Sequence, residues 1–380
     1  MDCNWYNSSH CRSCELLDKS YAATLTLKEK KLAELFPDSS LNFLSTVGLE
    51  KAEGSRNKAK LAAFSDTAED IQFGFYDGHL NFKALESCPL HMMELNAILP
   101  VIEKKLSEYK ITPYSLTMKK GELKYLIISR SDYDGSLLLR FVLRSKESLD
   151  RLRKMSDVLQ AEFSSVKVVT ANIQPEHKAI LEGEEEIVLS SKSSIIHKFN
   201  DVILNLGPRS FFQVTPEIAG KLYSAVGEIV QKFSVTSFLD LYCGVGAFSF
   251  FAAKHCPQVL GVEISKEAIS CADLSVQQNK VTDNISFQAL DVEEFLKSKK
   301  QKFDSILVNP PRRGLNPDII KNILENDPRI LIYSSCNAET LARDYQLLKN
   351  KYEILSLQIF DMFPYTEHFE TLMILNRKGT

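Results

Sequence analysis

From Pro208 onward, apolar runs of strand length alternate with helical stretches. A helix over 216–233 precedes SFLDLY (237–242), VLGVEI (259–264), SFQAL (286–290), SILVNP (305–310) and ILIYS (330–334), and each of these runs is followed by a helix. Strands separated by helices pair in parallel, because each helix returns the chain to the end where the previous strand began. A parallel sheet is covered on both faces, so its strands read as continuous apolar runs. Residues 206–380 are therefore expected to form a doubly wound, mostly parallel α/β domain of Rossmann-like type. Two closing strands, 352–360 and 370–376, have no long helix between them and predict an antiparallel hairpin at one edge.

The first half lacks this regularity. A helical stretch near 21–36, a Lys-rich stretch over 51–60 and a turn-rich approach to Cys88 are followed by an amphipathic helix over 91–109. Strands near 122–130 and 136–144, a helix near 147–162, and strands near 166–172 and 186–190 then complete an α+β pattern. A chain of 380 residues accommodates two or three domains. The expected division is 1–90, 91–205 and 206–380.

Chemistry concentrates at the carboxyl ends of the parallel strands, where open α/β sheets bind ligands. The first strand ends in Asp240-Leu-Tyr-Cys-Gly244-Val-Gly246, whose glycines permit a tight turn and close approach of a ligand. Glu263 ends the second strand, where an acid can accept hydrogen bonds from both ribose hydroxyls, and Asp291 ends the third, near an adenine. A dinucleotide fingerprint carries a third glycine where this chain has Ser249, which favours an adenosyl group. The arrangement resembles the S-adenosylmethionine-dependent methyltransferases.

The fourth strand ends in Asn309-Pro-Pro-Arg312-Arg-Gly314 and the fifth in Tyr333-Ser-Ser-Cys336-Asn337. Polar-Pro-Pro at this place resembles nucleic-acid methyltransferases. Those that methylate exocyclic amines have an aromatic residue where this chain has Arg312. Cys336 at a strand end before a helix sits where thiolate is favoured. His368 and Glu370 are two apart and would share one face of an extended strand. A thiolate and a carboxylate suit one reaction: thiolate addition at C6 of uracil makes C5 nucleophilic, and a base then removes the C5 hydrogen. Cys336 is the expected nucleophile and Glu370 the expected base. Cys243, Cys256 and Cys271 are expected to be structural thiols.

The strings SFFQVTP (210–216), DLYCGVG, NPPRRG, YSSCNAETLARD and HFET together resemble the RNA uracil-C5 methyltransferase family across residues 210–371. That resemblance implies that Gln213, Tyr242, Glu263 and Asn309 contact S-adenosylmethionine, with Asp291 a further contact. Relatives commonly have Asp in place of Asn309 and Pro in place of Ala338. Cytosine-C5 methyltransferases instead carry a Pro-Cys nucleophile where this chain has Pro311-Arg312. Within the family, length, N-terminal cysteines and the lack of an extra N-terminal barrel most resemble the bacterial branch acting on uridine 747 of 23S rRNA. Another 23S or transfer RNA uridine is the alternative target. A silent RNA-binding iron–sulfur protein is the alternative of another class.

Cys3, Cys11, Cys14 and Cys88 form C-x7-C-x2-C followed much later by C-P. Spacing alone leaves a four-thiolate zinc site and iron–sulfur ligation open. The family resemblance implies a [4Fe–4S] cluster on these four. Ser55-Arg56-Asn57-Lys58-Ala59-Lys60 matches another family string, and its basic residues suit phosphates as well as they suit a solvated loop. The net charge of −3, with neither half basic, argues against non-specific coating of nucleic acid. No apolar run reaches the ~18 residues of a membrane span. The expectation is a cytoplasmic monomer whose partner is 23S rRNA, with no DNA or membrane partner.

Overall fold

The computed structural model describes residues 1–66, 70–77, 79, 81–177, 181–281, 283–298 and 301–379. Two compact units emerge. Residues 1–12, 51–197 and 206–208 form one, and residues 13–50, 198–205 and 209–380 form the other.

The first unit is built on a seven-stranded sheet. Its strand order is Phe82–Ala84, Ile71–Tyr76, Lys58–Ser65, Leu123–Arg130, Leu137–Leu143, Val166–Ile173 and Glu185–Val188. Neighbours are antiparallel except Leu137–Leu143 with Val166–Ile173, which the helix Leu149–Glu162 joins as a parallel crossover. That helix and Met93–Glu108 supply Leu152, Met155 and Leu159, and Leu95, Leu99, Ile102 and Leu106, to the core. The spacings of three and four place each set on one helical face. The basic string at 55–60 is not a solvated loop. Lys58 and Lys60 open a strand, burial pushes the Lys58 ammonium down to about 8, and Lys60 pairs with Glu182 at 3.8 Å.

In the second unit the elements are α1 (Tyr21–Leu35), α2 (Pro216–Lys232), β1 (Phe238–Leu241), α3 (Ala247–Ala253), β2 (Val259–Glu263), α4 (Lys266–Asn279), β3 (Ile285–Ala289), α5 (Val292–Ser298), β4 (Ser305–Val308), α6 (Pro317–Asn326), β5 (Ile330–Ser335), α7 (Ala338–Leu348), β6 (Tyr352–Phe360) and β7 (Glu370–Arg377). The sheet runs β3-β2-β1-β4-β5-β7-β6. The first five strands are parallel, and β7 inserts antiparallel between β5 and the edge strand β6, so the closing hairpin forms as expected. The order reverses between β1 and β4, which is where such sheets open a crevice for ligands. The core joins Leu239, Ile306, Leu331 and Met373 of the sheet to Ile319 and Leu341 of covering helices and to Leu32 of α1.

Candidate active site

The cofactor side is shaped by the β1–α3 turn. Tyr242, Gly244 and Gly246 all take positive φ, and Gly246 at 83° opens α3. A Cβ on Gly246 would stand 2.4 Å from the Phe287 ring, so the turn is closed to any side chain there. The turn fixes the acid opposite it: the Gly244 amide donates to Glu263 Oε2 at 3.3 Å and the Ser265 amide to Oε1 at 2.9 Å. The Glu263 carboxylate is half-buried and keeps acceptor capacity for ribose hydroxyls. Tyr242 lies within electrostatic reach of Asp291 and Glu263. Burial, and after it Asp291, push its phenol up to about 12.

Asp291 has a further structural duty. Its Oδ1 accepts from the amides of Glu293 and Glu294, which caps α5. Ser249, in the place of a third glycine, donates its hydroxyl to Asp240 Oδ2 at 2.6 Å. Gln213 is buried in the segment before α2. Thr215 of that segment donates to the Met362 carbonyl, tying it to the loop that leads into β7. These features fit an adenosyl group.

On the catalytic side, β4, β5 and β7 lie next to one another and end in one neighbourhood. Glu370 is 1% exposed, and burial pushes its carboxyl up to about 7 against hydrogen bonds from Ser334 and Asn309. Ser334 Oγ donates to Glu370 Oε1 at 2.5 Å, and Asn309 Nδ2 donates to the same oxygen at 3.0 Å. The Cys336 thiol is half-buried. Burial raises its pKa and the Glu370 charge adds to that, while the Arg312 guanidinium, a hydrogen-bond partner, lowers it. The Cys336 thiol thus feels the Glu370 carboxylate and the Arg312 guanidinium in opposite senses.

The string after Cys336 explains how its neighbour loop is held. Asn337 caps α7 through the amides of Glu339 and Thr340, and its Nδ2 donates to the Arg312 carbonyl at 3.1 Å. Thr340 Oγ1 reaches the same carbonyl, Arg343 the Arg313 carbonyl, and Asp344 the Leu315 amide. Gly314, at φ 75°, passes so close to Arg343 and Asp344 that a Cβ would meet both at 2.6 Å. Asn337, Thr340, Arg343 and Asp344 therefore serve to position Arg312 beside Cys336.

One expectation changes. His368 does not share a face with Glu370: β7 begins only at Glu370, so His368 lies in the preceding turn, exposed and packed edge-on to Phe363. Cys3, Cys11, Cys14 and Cys88 are in no disulfide, and among the described residues no group of three or more His, Cys, Asp or Glu is placed to hold a metal ion. Cys3 and Cys88 lie within electrostatic reach of each other in the first unit, and Cys88 sulfur receives the amides of Leu90 and His91. That donor chemistry suits thiolate ligation. Cys243, Cys256 and Cys271 are buried, as expected of structural thiols. Ser334 escaped the sequence reading; a hydroxyl in an apolar parallel strand, two residues before the candidate nucleophile Cys336, was the available signal.

The chain matches the profile of the tRNA (Uracil-5-)-methyltransferase family over residues 20–378. It is 39% identical over 375 residues to the 23S rRNA (uracil(747)-C(5))-methyltransferase RlmC of Xenorhabdus nematophila, covering 99% of both chains. To the RlmC of Pectobacterium atrosepticum it is 38% identical over 377 residues, covering 99% of this chain and 100% of that one. In structure it is similar to the Pyrococcus abyssi tRNA (uracil-54, C5)-methyltransferase in complex with S-adenosyl-L-homocysteine, with a TM-score of 0.79 and 26% identity, covering 95% of this chain and 85% of that chain. With a profile match over nearly its whole length and full-length relatives of this similarity, the chain belongs to the tRNA (uracil-5-)-methyltransferase family.

Proposed function

We propose that the protein methylates C5 of a uridine in 23S rRNA, uridine 747, using S-adenosylmethionine and a transient Cys336–C6 bond. The observation that carries this reading is the pairing of a half-buried Cys336 beside Arg312 with a buried Glu370 at neighbouring strand ends. S-adenosylmethionine, when bound, supplies an electrophilic methyl group. Glu263 would hold its ribose, Gln213, Tyr242 and Asn309 would line its site, and Asp291 would stand near its adenine.

Cys336 attacks C6 as thiolate, with Arg312 favouring that form. The electron pair displaced from the C5–C6 double bond makes C5 the nucleophile that captures the methyl. Glu370 then takes the C5 proton, the C5–H electrons restore the double bond, and the sulfur leaves C6 as thiolate. A carboxyl near 7 is half-ionised at neutral pH, which suits a base that must also release its proton. The target base has to leave its stack to reach these groups, at a cost of a few kcal/mol.

A catalytic role for residues 206–380 and RNA-contacting roles for 1–90 and 91–205 belong to the same reading. So does a [4Fe–4S] cluster on Cys3, Cys11, Cys14 and Cys88, supported by four cysteines in no disulfide and the amides directed at Cys88. It takes no part in the methyl transfer. Iron content and visible absorbance of anaerobically purified protein test it, and colourless, iron-free protein would rule it out. The function is tested by mapping 5-methyluridine in total RNA with and without the protein. An unchanged 23S rRNA pattern would refute it.

A further inference from the structure

Three neighbouring strand ends carry Asn309, Ser334 and Glu370, and their hydrogen bonds are one-sided. Asn309 Nδ2 has two hydrogens: one goes to the Ser334 carbonyl at 3.0 Å and the other to Glu370 Oε1 at 3.0 Å. Ser334 Oγ donates to that same Oε1 at 2.5 Å. The carbonyl contact fixes which way the amide points, because only its nitrogen end can donate there. Ser334 is fully buried, so its hydroxyl needs a partner, and the partner is the carboxylate. Both side-chain hydrogen bonds therefore end on one oxygen of Glu370.

We propose that Asn309 and Ser334 are positioning residues for proton abstraction: they grip Oε1 of Glu370 and present Oε2 to the C5 hydrogen. This rests on the reading of Glu370 as the base. In the step itself Oε2 gains the proton, the C5–H pair becomes the C5–C6 double bond, and Cys336 departs with the C6–S pair. Hydrogen bonds to the ionised carboxylate favour the form that can act, so Asn309 and Ser334 orient the base and help keep it ready. Their effect falls after adduct formation, since the charge of Glu370 opposes rather than assists thiolate formation at Cys336.

The test is single-turnover methylation of a 23S rRNA fragment at saturating S-adenosylmethionine, from about pH 6 to pH 9, following the covalent protein–RNA adduct and free methylated RNA separately. Wild type, Ser334→Ala and the hydroxyl-keeping Ser334→Thr are compared. Ser334→Ala is expected to form adduct at the wild-type rate and to release product ~10- to 100-fold more slowly at neutral pH, with the acid limb of release moved to higher pH, and Ser334→Thr to restore that limb. A purely structural role would not move that limb. A release profile matching wild type in Ser334→Ala would overturn the proposal, and so would loss of adduct formation itself, which would put this contact before proton abstraction. Failure of the underlying reading has its own signature: Glu370→Gln would release product at the wild-type rate.

Discussion

Lys28 in α1 reaches Asp361 in the turn after β6 across 333 residues of sequence, Nζ 2.5 Å from Oδ1, with both side chains almost wholly buried. Tyr21 donates to the other oxygen of Asp361 at 2.6 Å, and Lys28 also reaches the Phe363 carbonyl at 3.0 Å. This network ties α1 to the segment that runs into Glu370. Lys28→Met would leave the Asp361 charge buried without its cation. The expected loss is about 3–5 kcal/mol of stability, with a smaller loss in Lys28→Met/Asp361→Asn, where neither charge remains. Thermal and denaturant unfolding of the two variants measure this. A single variant no less stable than the double one would refute it.

Stability and chemistry pull against each other at Glu370. A carboxyl whose folded pKa lies above its unfolded value binds its proton more tightly when folded. The stabilisation it gives is therefore complete below the unfolded value of 4.5 and lost as pH rises through about 7. Asp240, also buried and pushed up to about 7 mainly by burial, acts in the same direction. The wild type is expected to be more stable near pH 5 than near pH 8.5. Glu370→Gln should match wild type at the acid end and exceed it at the alkaline end, by up to ~3 kcal/mol, while product release stalls. Melting temperatures at the two pH values decide it; equal alkaline stability would show that no buried charge had been removed.

The sheet of the second unit was legible because its strands are apolar and its helices regular. The closing hairpin was legible because no helix fits between 360 and 370. Strands Ile71–Tyr76 and Phe82–Ala84 were not, because Gln72, Gly74 and Lys83 break the apolar pattern of a strand whose neighbours, not its own residues, fix it. The helix at Tyr21–Leu35 was readable, but its place on the core of the second unit depends on Lys28 meeting Asp361, a pairing that no local pattern encodes. Cys336 and Glu370 could be proposed from reaction chemistry. The partners that tune them could not: Ser334 looks like any strand serine, and Arg312 becomes meaningful only once Asn337 and Thr340 hold its backbone. His368 was misplaced because the segment leading into the strand at 370 was taken as extended.

Cofactor affinity should respond to Glu263 more than turnover does. Its carboxylate is oriented by the amides of Gly244 and Ser265, leaving lone pairs for the ribose. Glu263→Ala removes those acceptors and is expected to weaken S-adenosylhomocysteine binding ~10- to 100-fold, measured by calorimetry, with a much smaller change in kcat at saturating cofactor. An unchanged dissociation constant would remove Glu263 from the cofactor site.

The nucleophile assignment allows a covalent test. RNA carrying 5-fluorouridine presents fluorine where the base must take a proton, so the Cys336–C6 bond persists after methyl transfer. Wild type and Cys271→Ala, whose thiol is buried in α4, are expected to trap the RNA equally, whereas Cys336→Ala should lose the adduct and reduce methylation by ~10³-fold or more. Arg312→Gln should still trap, but more slowly, because the guanidinium lowers the pKa of the thiol. Its deficit should shrink as pH rises and the thiolate forms without help. A pH-independent deficit would mean that Arg312 holds RNA rather than activating the sulfur. Methylation surviving in Cys336→Ala would place the nucleophile elsewhere.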